Sequence, residues 1–323
     1  MSNGKREIGN SGIEVTPVAM GCWPIAGMTS IDVNDLDSLK TLEAAIESGV
    51  NFFDTAYCYG ANGESEKLMA QALGPVRDQL VIATKAGIHW DEEGVRHVDG
   101  RPEKIVSQLD ESLRRLQTDQ VELLYHHAPD PAIDVADSAA AFRQILDSGK
   151  ALAIGVSNYT VAQMEAFREV CPISAAQPHY NMLQREIEAD LLPWCQANDV
   201  SVICYWPLMK GLLAGQLRRD HQFQPQDGRK KYPMFQGQEW ERNQDFVDQL
   251  RDVADQIGKT VSQVVVNWTI HQAGITAALC GAKRDYQIRE TAGAFGWKLD
   301  EKQMERINLA IQARGAIVSK AAV

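Results

Sequence analysis

Eight times along the chain, a short apolar and often β-branched run is followed by a longer stretch with helical periodicity. Few folds accommodate that alternation. "VTPVAMGC" (15–22) leads to "VNDLDSLKTLEAAIESG", "VNFFDTA" (50–56) to "ESEKLMAQALG", and "QLVIATK" (79–85) to "RPEKIVSQLDESLRRLQ". "QVELLYHH" (120–127) leads to "VADSAAAFRQILDSGK", "ALAIGVS" (151–157) to "VAQMEAFREV", and "ISAAQ" (173–177) to "EADLLPWCQAND". "VSVICYW" (200–206) leads, after a long insertion, to "EWERNQDFVDQLRDVADQIG" and "SQVVVNWTIHQ", and "ITAALCGA" (275–282) to "RDYQIRETAGAF". Alternation of this kind predicts a parallel sheet with crossover helices. The runs are apolar on both parities, as strands buried on both faces must be.

Eight such units in a chain of 323 residues predict an α/β fold of the closed (β/α)8 TIM-barrel type, with a single domain over residues 1–323. An open doubly wound sheet is the alternative. Against it, no G-x-G-x-x-G follows the first run, so a Rossmann dinucleotide site is not signalled. Ahead of the first unit, "REIGNSGIEV" reads as a β-hairpin turned by Asn10-Ser11-Gly12, placed to plug the bottom of a barrel. The only long irregular stretch is 208–239, after the seventh strand, on the side where barrels keep their active sites. Its Arg218, Arg219, Arg229, Lys230 and Lys231 suit a flap that closes over a pyrophosphate; an ordered surface excursion is the alternative.

Composition narrows the partners. A net charge of −11 leaves no basic excess for non-specific DNA or RNA binding, while a small anionic ligand needs only a local basic site. The six cysteines (Cys22, Cys58, Cys171, Cys195, Cys204 and Cys280) show no C-x-x-C spacing, which fits reduced thiols in the cytoplasm better than disulfides or zinc. No apolar run is long enough to span a membrane, and "MSNGKREIGNSG" lacks the apolar core of a signal peptide. No metal site is expected, because His126-His127 has no further ligand at helpful spacing.

Polar residues recur at the C-terminal ends of the predicted strands: Asp54, Lys85, His127, Ser157-Asn158, Gln177 and Tyr205. Each alone has an ordinary explanation, a lysine reaching solvent or a glutamine clamping backbone. Recurring once per unit, they converge on one barrel mouth and read as catalytic or ligand-binding. Successive strand residues point to opposite faces, so only one of His126 and His127 can enter that mouth.

Asp54, Tyr59, Lys85 and His127 on this frame resemble the catalytic set of the aldo-keto reductase superfamily. The matching motifs are "FFDTAYCYG", "VIATKAG", "VELLYHHAPD", "IGVSNY", "AAQPHYNML", "YWPLMKGLLAG" and "GAKRDYQIRE", in the family's order over nearly the whole chain. The resemblance is to the bacterial members and the potassium-channel beta subunits more than to the vertebrate aldose reductases. It implies a barrel that binds NADPH, in extended form and without a Rossmann motif, and reversibly reduces an aldehyde or ketone to an alcohol. The family pattern selects His127 as the histidine that contacts the carbonyl, and makes Tyr59 the proton donor. A free tyrosine has a pKa of about 10. A lysine cation ~4 Å away, at an effective dielectric of ~20, stabilises phenolate by roughly 4 kcal/mol, so Lys85 is expected to lower the Tyr59 pKa, with Asp54 holding Lys85 charged.

The remaining assignments follow the same resemblance. Ser157, Asn158 and Gln177 match residues that hold the nicotinamide carboxamide, and Tyr205 the aromatic that stacks on its ring. Pro207, Leu208 and Gly211 match positions that wrap the pyrophosphate. Gly281, Ala282, Lys283 and Arg284 open "GAKRDYQIRE", where the two cations and a helix N-terminus suit a 2′-phosphate and so NADPH over NADH. Gln287 and Glu290 match adenosine contacts. Trp23 and Trp90 match the substrate-facing wall. The chain departs from the family pattern at Thr291, where Asn is usual, and at Trp206, where Ser is common; Lys210 adds a possible phosphate contact. The substrate, a small carbonyl compound, and the oligomeric state stay open. Two other functions compete: an NADPH-holding regulatory module, and a barrel hydrolase, which would need a second strand-end carboxylate beside Asp54.

Overall fold

The computed structural model describes residues 4–28 and 30–318. Two short strands, β1 (Arg6–Glu7) and β2 (Glu14–Val15), pair antiparallel, and the turn between them runs through Gly12 at φ +75°. The repeating units follow: β3 (Val18–Gly21) and α1 (Asp35–Glu47), β4 (Phe52–Asp54) and α2 (Glu64–Leu73), then β5 (Val81–Ala86). A small hairpin of β6 (Ile88–Trp90) and β7 (Arg96–Val98) separates β5 from α3 (Pro102–Leu116). Next come β8 (Val121–His126) and α4 (Val135–Asp147), β9 (Ala151–Ser157) and α5 (Val161–Arg168), β10 (Ala175–Gln177) and α6 (Leu191–Ala197). The last are β11 (Ser201–Cys204) with α7 (Gly237–Gln256) and α8 (Val261–Ile270), and β12 (Ile275–Gly281) with α9 (Asp285–Ala292), before α10 (Glu301–Arg314). The strands β3, β4, β5, β8, β9, β10, β11 and β12 close into one parallel barrel, so the open-sheet alternative falls.

Strand parity divides the core into two shells. Ala19, Phe52, Val81, Ala83, Leu123, Tyr125, Ala153, Ala175, Ile203, Ala277 and Leu279 fill the barrel interior. Their neighbours, among them Met20, Phe53, Ile82, Leu124, Ile154, Val202 and Cys280, pack outward under the helices. The interior is tight: a Cβ on Gly155 would lie 2.4 Å from the Tyr125 ring, so the strand beside that ring needs glycine. Continuing the inward parity past this layer brings Asp54, Lys85, His127, Ser157, Gln177 and Tyr205 to the C-terminal mouth. Strand lengths vary slightly from expectation. Lys85 lies one residue inside its strand end, while His127 and Tyr205 lie one residue beyond theirs. Backbone pairing still holds both: the His127 N–H donates to Ala86 O, and Tyr205 bridges His179.

The stretch after β11 is more ordered than its composition suggests. Arg219 pairs with Glu241, Asp245 and Asp248 on α7, and Trp240 Nε1 donates to Arg219 O. Phe223, Phe235 and Trp240 form an aromatic cluster beneath it, and Arg229 pairs with the buried Asp227. Two of the basic residues expected to close a flap, Arg219 and Arg229, therefore have carboxylate partners in the free protein, Arg219 on α7 and Arg229 within the segment.

The opposite end of the barrel is sealed by the hairpin. Ile8 and Val15 are buried against Phe52, Val81 and their layer, and Arg6 Nη1 donates to the carbonyls of Ile270, Ile275 and Thr276. Replacing a fully buried Ile8 with Ala is expected to lower unfolding free energy by about 2–5 kcal/mol. Urea denaturation measures this, and a loss well under ~1 kcal/mol would show that the plug does not seal the core.

Candidate active site at the barrel mouth

Asp54 and Lys85 are both almost fully buried, on adjacent strands in parallel register. Lys85 Nζ donates to Asp54 Oδ1 at 2.5 Å, Thr55 O at 2.7 Å and Tyr59 Oη at 3.3 Å. An ammonium has three N–H groups, and here each has an acceptor. The ammonium also lies 4.8 Å from the Tyr59 ring centroid. Asp54 uses its second oxygen to accept Gln177 Nε2 at 2.8 Å. Burial pushes its carboxyl pKa up, against Lys85 and Gln177, which pull it down.

The loop that carries Tyr59 is held from both sides. Tyr57 N–H donates to Lys85 O, and Thr55 and Ser65 share a hydroxyl hydrogen bond of 2.8 Å. Beneath the loop, a buried ion pair joins Arg115 to Glu66, while Arg115 Nη1 also donates to Tyr57 O and Thr84 donates to Glu66. Gly60 closes the turn at φ +100°, where a Cβ would meet Glu64 backbone at 2.7 Å. "DTAYCYG" therefore reads as a strand end, a pinned crossing and a glycine stop. Trp23 packs edge-on against Tyr59 at 4.9 Å, and Trp90 Nε1 donates to Cys58 O at 2.8 Å, so both tryptophans lie beside the loop that carries Tyr59.

The expected lowering of the Tyr59 pKa is corrected by this geometry. Burial, followed by the Asp54 charge, raises it well above 10. The Lys85 hydrogen bond favours phenolate, but burial and the Asp54 charge outweigh it. Tyr59 is thus a phenol at all ordinary pH, with Lys85 already donating to its oxygen.

His127 lies edge-on to Tyr59, with ring centroids 5.9 Å apart. Its Nδ1 faces Cys58 Sγ at 3.6 Å. Burial raises the Cys58 pKa to about 12, so the thiol keeps its proton and donates it to the better acceptor, the imidazole nitrogen. With that donation the His127 proton would sit on Nε2. Cys58 stood inside the quoted motif without a role, because nothing local in the sequence links it to a histidine 69 positions away. His126 points the other way, as parity predicts: it is buried against Phe142, and its Nδ1 and Tyr159 Oη are 2.6 Å apart.

On the far side of the mouth, Tyr205 Oη donates to Asn158 Oδ1 at 2.8 Å. Asn158 Nδ2 donates to His127 O and Ser157 Oγ, and Ser157 Oγ donates to Gln177 O. These bonds run on through Gln177 to Asp54, joining the two halves of the site. Asn158 holds φ +61°, a left-handed geometry that Asn tolerates better than most residues.

Beyond Tyr205 the chain takes positive φ at Trp206, Met209, Lys210 and Gly211. Lys210 lies 4.0 Å over the Trp206 ring and 4.7 Å over Tyr232. Burial, then Arg229, lowers its pKa to about 8. Pro207 is buried and Leu208 half-buried at the base of this turn. After β12, Gly281 is exposed and Ala282 buried. Lys283 Nζ donates to Ile31 O, and Arg284 donates to Asp32 O and approaches Asp37 at 3.5 Å. Gln287 accepts the Lys283 N–H, while Glu290 is half-buried on the same helix. Thr291 is buried with its hydroxyl donating to Gln287 O, so the departure at this position is filled by a bond within α9.

The aldo/keto reductase family model matches residues 17–312. The chain belongs to the aldo-keto reductase family. It is 34% identical over 309 residues to the aldo-keto reductase YhdN of Bacillus subtilis, covering 94% of this chain and 92% of that protein. Among solved structures it is similar to a glycerol dehydrogenase from Gluconobacter oxydans, with TM-score 0.90, 32% identity and 97% of each chain covered. A thermostable aldo-keto reductase solved with the inhibitor epalrestat matches at TM-score 0.74 and 26% identity, over 96% of this chain and 99% of that one. This aldo-keto reductase is therefore an oxidoreductase of carbonyl chemistry that works with a nicotinamide cofactor. Among its described residues, no helix is long and apolar enough to cross a membrane, and all six thiols are free and buried.

Burial, then the Lys85 charge, holds the His127 pKa well below 6.5. Its ring is expected to stay neutral, with the proton on Nε2, through the range around 6.5 where a free imidazole titrates. Nitrogen-15 NMR of the imidazole checks this, and Cys58→Ala should mix the two tautomers. A titration centred near 6.5, or an Nδ1-protonated ring, would overturn the assignment.

Proposed function

We propose that this protein is an NADP(H)-dependent reductase that interconverts an aldehyde or ketone and its alcohol, with Tyr59 as general acid. One observation carries the reading: a buried ammonium, Lys85, holds Asp54 and the Tyr59 phenol together beside a neutral imidazole. The donor set suits a dinucleotide phosphate. Lys210, Arg229, Lys283 and Arg284 stand on the turns after β11 and β12, and Arg229 acts electrostatically on both Lys210 and Lys283. Asp227 and Asp37 answer Arg229 and Arg284 in the free protein, and a bound phosphate would give Lys210 and Lys283 an anionic acceptor. In this reading Pro207, Leu208, Gly211 and Lys210 hold the pyrophosphate. Lys283 and Arg284, with Gly281 and Ala282, take the 2′-phosphate, and Gln287 and Glu290 face the adenosine. Ser157, Asn158 and Gln177 orient the carboxamide, and Tyr205 offers its ring face to the nicotinamide.

When bound, the cofactor supplies or accepts the hydride. The protein's part is the proton and the oxygen. Tyr59 delivers its proton to the carbonyl oxygen while Lys85, already donating to the phenol oxygen, stabilises negative charge as it develops there. His127 Nε2–H donates to the same carbonyl oxygen and orients it. In the oxidation direction the proton returns to Tyr59. The similarity to a glycerol dehydrogenase supports a small hydroxylated substrate and use of that direction as well. A cytoplasmic location belongs to the proposal, supported by the free buried thiols.

Two measurements test it. Tyr59→Phe should lose carbonyl reduction by ~100-fold or more, the scale of a general acid, with NADPH affinity nearly unchanged. Near-normal turnover would remove Tyr59 from the role. Replacing Lys283 and Arg284 together by Ala should weaken NADPH binding strongly and NADH binding slightly, since each charge-assisted phosphate contact contributes roughly 1.5–3 kcal/mol. An equal loss for both cofactors would place the 2′-phosphate contact elsewhere.

A further inference from the structure

The hairpin of β6 and β7 has one face on the active site. Its cross-strand pairs are Ile88 with Val98, His89 with His97, and Trp90 with Arg96. Directly paired residues share a face, and alternate pairs take opposite faces. Ile88, Trp90 and Val98 pack with Ala56, Cys58, Tyr59 and Ala128. His89 and His97 stack on each other on the other face, where His97 pairs with Asp91 at 2.6 Å. Arg96 is therefore the charged member of an otherwise apolar face that lies against Tyr59 and Cys58.

Other cations around it have carboxylate partners. Lys85 has Asp54, Arg101 has Asp99, and Arg115 has Glu66 and Glu111. The exposed Arg96 side chain makes no ion pair or hydrogen bond among the described residues, although Asp91, Glu92 and Glu93 lie in its own hairpin turn. Burial dominates the pKa shifts of His127, Cys58 and Tyr205, and the Arg96 charge acts on all three. With Asp54 paired to Lys85 and with Tyr59 and His127 neutral, that guanidinium supplies uncompensated positive charge at the substrate side of the mouth. The phosphate-directed cations stand apart from it, on the turns after β11 and β12.

We propose that Arg96 recognises an anionic group on the substrate, so that the preferred substrates are aldehydes or ketones bearing a carboxylate or a phosphate. This rests on the reductase reading of the same site. A planar guanidinium can hold either oxyanion through two parallel N–H donors, while Trp90 covers the apolar part of the molecule.

Matched substrate pairs test the proposal: succinic semialdehyde against its methyl ester, and glyceraldehyde phosphate against glyceraldehyde. Each is assayed with wild type, Arg96→Gln and Arg96→Lys. The wild type should favour the anionic member of at least one pair by about tenfold or more in kcat/KM, and the responding pair tells carboxylate from phosphate. Arg96→Gln should abolish that preference through KM, leaving the neutral member unchanged, and Arg96→Lys should keep part of it. A preference that survives Arg96→Gln, or a wild type that favours the neutral members, overturns the proposal and leaves the reductase reading intact. Should the wild type reduce none of the four, the reductase reading fails. Calorimetry with benzoate and benzamide then decides the anion contact: tighter benzoate binding that is lost in Arg96→Gln upholds it, and equal binding overturns it.

Discussion

Lys85 carries a full charge in the barrel interior, and much of the surrounding structure serves to keep it there. An isolated buried ammonium would shed its proton or unfold its surroundings. Three acceptors prevent that, and each imposes a constraint. Asp54 must end the neighbouring strand, Thr55 must turn its carbonyl inward, and Tyr59 must return over the mouth within five residues. The loop that meets these demands is itself held from below by the Arg115–Glu66 pair and stopped by Gly60. Asp54 is steadied from across the barrel by Gln177, which draws β10 into the same network. The chemistry proposed for the site and the packing of the barrel top are one set of contacts.

The same pairing shapes the field that a substrate meets. Lys85 favours phenolate through its hydrogen bond to Tyr59, but burial and the Asp54 charge outweigh it and hold the proton on the phenol. A reductase profits from that state, since the acid is loaded before the carbonyl arrives. In the proposed mechanism the same Lys85 hydrogen bond stabilises negative charge as it develops on the phenol oxygen. His127 is neutral for a related reason: burial and the nearby cation both disfavour imidazolium, so it can offer an N–H but not a charge. The charges left to act at longer range lie on opposite sides of the mouth, Arg96 on one and the cations beyond β11 and β12 on the other.

Much of this was legible in the chain. Doubly apolar runs such as "QLVIATK" and "ALAIGVS" marked strands buried on both faces, and the turn at Asn10-Ser11-Gly12 marked the hairpin that plugs the base. Parity set His126 and His127 on opposite faces, the family pattern chose His127 for the mouth, and the structure puts His126 under the helices. The hairpin of β6 and β7 was not legible. Its strands are three residues each, too short for a periodic signal. The segment after β11 stayed between two expectations because its main anchor, Arg219 to α7, joins residues 22 to 29 positions apart in a stretch of polar composition.

The sequence by itself determined the fold class, the inward set of polar residues and their convergence on one end, because period-two alternation and strand–helix order are local properties of a chain. Tertiary structure decided what those residues do to one another. That Lys85 meets three acceptors at once, that Cys58 meets His127 Nδ1, and that Tyr205 connects through Asn158 and Ser157 to Gln177 all depend on barrel closure. Closure sets distances between strands that are remote in sequence. Hydrogen bonds and pKa values fall off over a few ångströms, so no pattern along the chain could supply them.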